Sequence, residues 1–205
     1  MSRVSKEQSA AHRKTITEVS ARLIRERGIN SVSVADLMGA AGLTHGGFYG
    51  HFESKDALAA EACAHAFGES VEKWKKRIAG QSDAASALKA IVDGYLSVRT
   101  RDAPSTSCPL PALVSDVARE AADAPVRPVY VAGAEQLLDI LAGLQDSGSD
   151  KSDRRRALAQ LSTLVGALLL ARATAGSPLS EEVLAAAREA LLPPEHGAAS
   201  KRPRH

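Results

Sequence analysis

Apolar residues recur at helical intervals along most of the chain. Ile16, Val19, Leu23 and Ile24 share one face of a helix that runs to Arg27 and is stopped by Gly28. Ser33 followed three positions later by Asp36 has capping-box spacing, and Val34, Leu37, Met38 and Ala41 form the apolar face of a short helix starting at Val34. Gly42 suits a tight helix exit, Leu43 is an apolar plug, and Thr44 is a favoured N-cap for a second helix. Gly46, Gly47 and Gly50 each cost about 1 kcal/mol against Ala in a helix interior, so propensity alone makes this stretch a loop.

Further along, Ser54 can cap a long helix from Lys55 through Leu58, Ala62, His65, Phe67, Val71 and Trp74 to Ile78. After a break at Gly80 to Asp83, a helix is expected from Ala84 to Thr100, burying Leu88, Ile91, Val92, Tyr95 and Leu96, followed by a loop from Arg101 to Ser107. Pro109 suits the first turn of a helix carried by Leu113, Val114 and Val117 to about Ala122. Pro125 to Pro128 separates it from a helix opening at Val129 and reaching Leu144. A polar turn from Gln145 to Ser152 precedes two last helices, Asp153 to Thr174 and Ser180 to Leu192, and Pro193 and Pro194 end the fold ahead of a basic tail.

The composition agrees with a helical globular chain: of 205 residues, 44% are hydrophobic, 24% charged and 3% aromatic. A net charge of +2 implies no nucleic-acid binding by itself. Its distribution is more informative, because residues 1–55 carry eight Lys and Arg against five Asp and Glu, which leaves the remainder slightly acidic. The N-terminal MSRVSKEQSAAHRK contains no apolar core of a secretory signal, and the longest apolar run, Leu164 to Ala171, is too short to span a bilayer, so a cytoplasmic chain without a membrane segment is expected.

The run GLTHGGFYGHFESKDAL, together with ARLIRERGINSVSVADLMGAAG before it, resembles the DNA-binding domain of TetR/AcrR-type transcriptional regulators. The resemblance implies an all-α fold of about nine helices: a three-helix helix-turn-helix domain over residues 1–55, a helical ligand-binding and dimerisation domain over 56–192, and a tail over 193–205. It implies a recognition helix whose N-terminal residues Thr44, His45 and Gly46 face base edges in the major groove of a double-stranded operator. Tyr49 and His51 then fall where the family contacts phosphate oxygens, and Lys55 adds its charge at the next helix N-terminus. Ser33 completes the candidate DNA-contact set. Phe48 and Phe52 are assigned to the small domain's core. Gly47 and Gly50 depart from the family pattern, which often has a hydroxyl residue and a large polar residue there, so readout by side chains is sparse and operator shape gains weight. An N-terminal arm, residues 1 to about 8 with Arg3 and Lys6, is either a minor-groove arm or simply solvated.

The family pairs through its last two long helices. Here Leu158, Leu161, Leu164, Val165, Leu168 and Leu169 form a wide stripe, with Gly166, Ala167, Ala171 and Ala185 to Ala187 permitting close approach, so a homodimer is expected. The function implied is a repressor, bound to a pseudo-palindromic operator and released by a small apolar effector of unknown identity, with Phe67, Tyr95, Leu113 and Tyr130 as candidate pocket walls. No nucleophile with a neighbouring base is evident, and neither catalysis nor a cofactor is expected. Cys63 and Cys108 lack zinc-site spacing, and His45 and His51 are wrongly spaced for a helical metal pair. Two alternatives stand beside this reading. Cys108, at a helix N-terminus, would have a lowered pKa and sense oxidants or electrophiles; or the chain is a helical ligand-binding or scaffold protein without operator specificity.

Overall fold

A computed structural model describes residues 6–145 and 147–192. Among the described residues there are nine α-helices, two short 3-10 helices and no strand: α1 (Lys6–Arg27), α2 (Val34–Ala40), α3 (Lys55–Ile78), α4 (Ala84–Tyr95), α5 (Val98–Asp102), α6 (Pro109–Arg119), α7 (Val126–Ala142), α8 (Asp150–Ala173) and α9 (Pro178–Leu191), with 3-10 turns at His45–Gly50 and Pro104–Thr106. The chain is all-α, with an N-terminal helix-turn-helix. α1 begins at Lys6, so Lys6 is helical rather than part of an arm; Arg3 and the tail 193–205 lie outside the described residues.

Local chemistry explains most boundaries. Gly28 stops α1 at φ +88°, a left-handed conformation costly for any residue with a Cβ, and its N–H still reaches Ile24 O at 2.9 Å. The Ser33 hydroxyl accepts from Asp36 N–H at 3.1 Å while the Asp36 carboxylate accepts from Ser33 N–H at 2.9 Å, completing the capping box of α2. These bonds hold the exposed Asp36 carboxyl below its ordinary pKa range. Ser54 Oγ caps α3 by accepting from Ala57 N–H at 3.0 Å.

Several boundaries differ from expectation. α4 stops at Tyr95 instead of continuing to Thr100, because Ser97 recaps the chain: its Oγ accepts from Thr100 N–H at 3.2 Å, and the Thr100 hydroxyl donates to Gly94 O at 2.7 Å. The segment expected as a loop after Arg101 holds the end of α5 and a 3-10 turn. α7 opens at Val126, ahead of Pro128, since the third helical position needs no N–H donor. α6 stops at Arg119 and α8 starts at Asp150.

Two apolar clusters result. Ile16, Val32, Leu37, Met38, Phe48, Phe52 and Leu58 form the core under the helix-turn-helix. The larger one gathers Trp74, Ile91, Tyr95, Leu113, Leu137, Leu164, Leu168 and Leu184 in the body. α1 and α3 serve both: Ile16 and Leu58 belong to the first cluster, while Ala21, Ile24 and the stretch from Ala59 to Trp74 belong to the second. Both helices therefore connect the head and the body. α8 is the one described helix long and apolar enough to cross a membrane. Ala157, Leu161, Leu164, Leu168 and Ala171 nevertheless turn one of its sides into the body's core.

Candidate nucleic-acid interface

The segment after the α2 turn is a single 3-10 helix, His45–Gly50, rather than an α-helix. Gly47 N–H donates to Thr44 O at 3.0 Å and His51 N–H to Phe48 O at 2.9 Å, which are i→i−3 bonds. Three glycines in six residues weaken any longer helical register, and the tighter turn results. Thr44 occupies the N-cap position, but its side chain makes no capping bond. The residue is exposed.

Anchorage comes from the aromatic pair. Phe48 and Phe52 are buried and stacked, with ring centroids 5.8 Å apart and planes at 28°, and Tyr49 meets Phe48 edge-on at 5.2 Å. Tyr49 itself is 71% exposed. Thr44, His45, Gly46, Gly47 and Gly50 are also exposed, as is Ser33, while His51 and Lys55 are half-buried. Thr44 to His51 thus lie on or beside one turn with Phe48 buried beneath it, whereas Ser33 sits at the N-cap of α2 and Lys55 opens α3. A Cβ added at Gly46 or Gly50 would meet nothing within 4 Å, and one at Gly47 would approach only Met38 Cε at 3.6 Å and the Thr44 hydroxyl at 3.9 Å. Intramolecular packing does not require these glycines. They leave bare backbone exposed at this surface.

Four residues that fix this surface or tie it to the body were not evident from the sequence. Arg13 donates to His51 O, pairs with Glu61 of α3 and lies 4.2 Å from the Phe52 ring centroid, so it clamps α1, the recognition turn and α3 together. Thr17 adds a hydroxyl bond to the same Glu61 at 2.8 Å. Arg25, 3% exposed, donates to Glu69 at 2.7 Å and to Ser107 O at 3.0 Å. Asp116 of α6 accepts from Ile29 N–H at 2.8 Å, tying the α1–α2 turn to the body. The available signal was Arg25's position on an apolar helix face, beside Ile24 and four residues after Ala21. Two of the basic residues counted in the head are therefore structural clamps.

The expected pocket walls are core. Phe67 and Leu113 are buried, and the Phe67 ring packs into the space left by Gly133, where a Cβ would fall 2.2 Å from Cγ. Tyr130 meets Phe67 edge-on at 5.5 Å and donates its hydroxyl to Leu110 O at 2.8 Å. Among the described cavities only Tyr95 of the four borders one. Cys108 is buried at the N-cap of α6, and burial raises its thiol pKa, opposite to the lowered value a helix N-terminus was expected to give. Burial also pushes Cys63 up to about 12. Among the described residues no group of His, Cys, Asp and Glu is arranged to hold a metal.

Residues 16–62 match the family described as bacterial regulatory proteins, tetR family. The chain is 29% identical over 83 residues to the HTH-type transcriptional repressor KstR2 of Rhodococcus jostii, covering 40% of this chain and 41% of that protein. It is 36% identical over 61 residues to the HTH-type transcriptional regulator AcrR of Shigella flexneri, covering 30% and 28% respectively. The matched stretches thus span less than half the length of these relatives. A TetR-family transcriptional regulator from Cytophaga hutchinsonii shares the fold across 93% of this chain and 96% of its own, with a TM-score of 0.75 at 21% identity. Residues 16–62 thus form a DNA-binding domain of the tetR family of bacterial regulatory proteins, and the chain as a whole carries the fold of TetR-family transcriptional regulators.

Proposed function

We propose that this regulator is a cytoplasmic repressor that binds a pseudo-palindromic operator as a homodimer and is released by a small effector bound in its body, with no catalytic role. The observation that carries the reading is the 3-10 turn itself: Thr44, His45 and Tyr49 stand exposed with bare glycine backbone between them, above a buried Phe48–Phe52 anchor. Such a surface suits close approach to a phosphate backbone, with few side chains to read base edges and a correspondingly large share for DNA shape. Repression as the direction of control is supported by the name of the Rhodococcus jostii relative.

Pairing is supported by α8 and α9. Leu158, Leu169 and Leu170 are 46%, 37% and 57% exposed on the outer side of α8, and Leu179 is 49% exposed at the start of α9. A second copy seated there buries this stripe and sets two recognition turns toward successive major grooves, about 34–36 Å or a multiple apart. Release requires an effector with different affinity for the DNA-competent and incompetent arrangements. A redox switch at Cys108 has less support, because its thiol is buried and its pKa raised.

Titration of the protein against DNA from its own upstream region and a scrambled duplex, at several salt concentrations, tests this reading. Preferential binding with a steep salt dependence is expected. Equal, weak binding to both duplexes, followed by failure to select any preferred sequence, supports the scaffold alternative instead.

A further inference from the structure

We propose that the cleft between α3 and the α4–α5 corner binds a small organic anion, its charged group held among Lys73, Arg77 and Arg99 and its far end directed toward the Tyr95 hydroxyl. The regulatory role of this site rests on the effector-released reading above; its anion chemistry does not.

The cleft has a volume of about 390 Å³, within the range of small-molecule sites. Its cations outnumber its carboxylates. Asp93 is the one carboxylate in the wall, and it pairs with Lys89 at 2.8 Å. Glu69, close to Lys73, pairs with Arg25 at 2.7 Å. Among the described residues, Lys73, Arg77 and Arg99 have no ion-pair partner; Lys73 Nζ donates to Thr106 O at 3.0 Å. Burial lowers the pKa of Lys73 and Arg77, and Lys73 is lowered further by the neighbouring charges of Arg77, Arg25 and Arg99. An anion relieves both effects at once.

Two further features make this a built site. Arg77 lies against Gly94, where a Cβ would fall 2.4 Å from the guanidinium carbon, so the absence of a side chain on α4 sets the arginine in place. Behind the cleft is a smaller cavity of about 20 Å³, sharing Lys73, Arg77, Gly94, Thr100 and Ser107 with it and bordered by Trp74, Tyr95 and Cys108. Tyr95 is 2% exposed, and its hydroxyl makes no well-formed hydrogen bond; beside it lies the Cys108 thiol, a weak hydrogen-bonding group. A buried phenol served only by a weak sulfur partner is under-satisfied, and an oxygen or nitrogen atom reaching this inner space gives it a stronger one.

The site also touches the machinery of the head. Its wall includes Thr106 and Ser107, and Ser107 O is the acceptor that holds Arg25 of α1. An anion that draws Lys73 away from Thr106 O acts on the same short segment that positions α1.

Trp74, the single tryptophan, borders the inner cavity and edges Tyr95 with ring centroids 5.9 Å apart, so its emission reports occupancy without DNA. The full chain is titrated with a benzoate that carries a para hydroxyl at its far end (4-hydroxybenzoate), with the matching 4-hydroxybenzamide as the neutral analogue of the same shape, and with inorganic phosphate. The hydroxybenzoate is expected to give a saturable change in Trp74 emission, phosphate to compete with it, and the hydroxybenzamide to give none. Arg77→Gln is expected to weaken hydroxybenzoate about tenfold, and Arg99→Gln, which removes an exposed group and spares the core, to weaken it about threefold or more. No saturable response to hydroxybenzoate or phosphate, equal responses to hydroxybenzoate and hydroxybenzamide, or unchanged affinity in a folded Arg77→Gln and in Arg99→Gln would each overturn the site. Hydroxybenzoate binding that leaves operator affinity unchanged would overturn the effector role instead, with the cleft's anion chemistry intact.

Discussion

The guanidinium of Arg25 donates to the carbonyl of Ser107, 82 residues later in the chain, at 3.0 Å. With this bond the helix that braces the recognition turn is held by the segment that walls the body's cationic cleft. Arg172 of α8 reaches the same segment from the other side, donating to Ser107 Oγ at 2.5 Å and to Thr100 O at 3.1 Å. Ser107 thus joins α1 and α8, and Arg172 draws in α5 through Thr100.

Arg25→Met keeps the length of the side chain but leaves Ser107 O buried without its donor. A loss of about 1–3 kcal/mol is expected in chemical denaturation. The regulatory consequence is more specific: effector binding should persist while its effect on operator affinity diminishes, because the strap between body and head has been cut.

The α1–α2 turn depends on Gly28 and Asp116 together. Gly28→Ala places a Cβ at φ +88° and 2.7 Å from an Asp116 carboxylate oxygen, so a destabilisation of about 1–2 kcal/mol or more is expected. Asp116→Ala leaves the N–H of the buried Ile29 without its acceptor and should cost a comparable amount. Thermal unfolding of both variants checks the pair, and their effects should be less than additive because they share one contact.

Gly50 lies outside the positive-φ region, and a Cβ there meets open space. Gly50→Ala is therefore expected to stabilise the fold by about 0.4–1 kcal/mol through the unfolded chain. If the bare backbone serves DNA approach, the same substitution weakens operator binding. A gain in melting temperature accompanied by a loss of DNA affinity separates that role from ordinary packing.

On α8, Leu170→Glu places a charge on the exposed apolar stripe. Light scattering should show a monomer where the unsubstituted chain is a dimer, with operator affinity reduced at least tenfold. Val131→Glu, at a 59% exposed position on α7, should leave the dimer intact.

The buried Cys63 thiol, raised to about 12, favours its neutral form in the folded state. The stability it contributes is fully present below the unfolded thiol pKa of about 8.5 and is lost as pH rises toward 12. Cys63→Ala should flatten the pH dependence of stability in that alkaline window. Thiol reagents at neutral pH should modify Cys63 and Cys108 slowly in the native protein and rapidly after unfolding.

Much of the helix-turn-helix was legible because its signals are local. The Ser33–Asp36 box, the Ser54 cap, the stops at Gly28 and Gly42, and the burial of Phe48 and Phe52 each need only a few neighbouring residues. The recognition turn was harder: its three glycines opposed a helix, and the compromise is a 3-10 turn. The recap at Ser97 was masked by apolar periodicity continuing through Tyr95 and Leu96. Arg13, Arg25 and Asp116 find partners 38 to 87 residues away, and no local pattern announces such pairs. For the same reason Lys73 and Arg77, one turn apart on α3, resemble a solvated face until α4 and α5 are folded against them.

In the proposed function this chain reads an operator as a pair of recognition turns. Selection of binding sites from random-sequence duplex DNA with the full chain tests that reading. An enriched pseudo-palindrome is expected, with half-site centres about 10–10.5 base pairs or a multiple apart, bound more weakly by Tyr49→Phe and by Lys55→Ala, the latter with a salt slope shallower by about 1. Recovery of sequences with no common motif, bound equally by these variants, would contradict it.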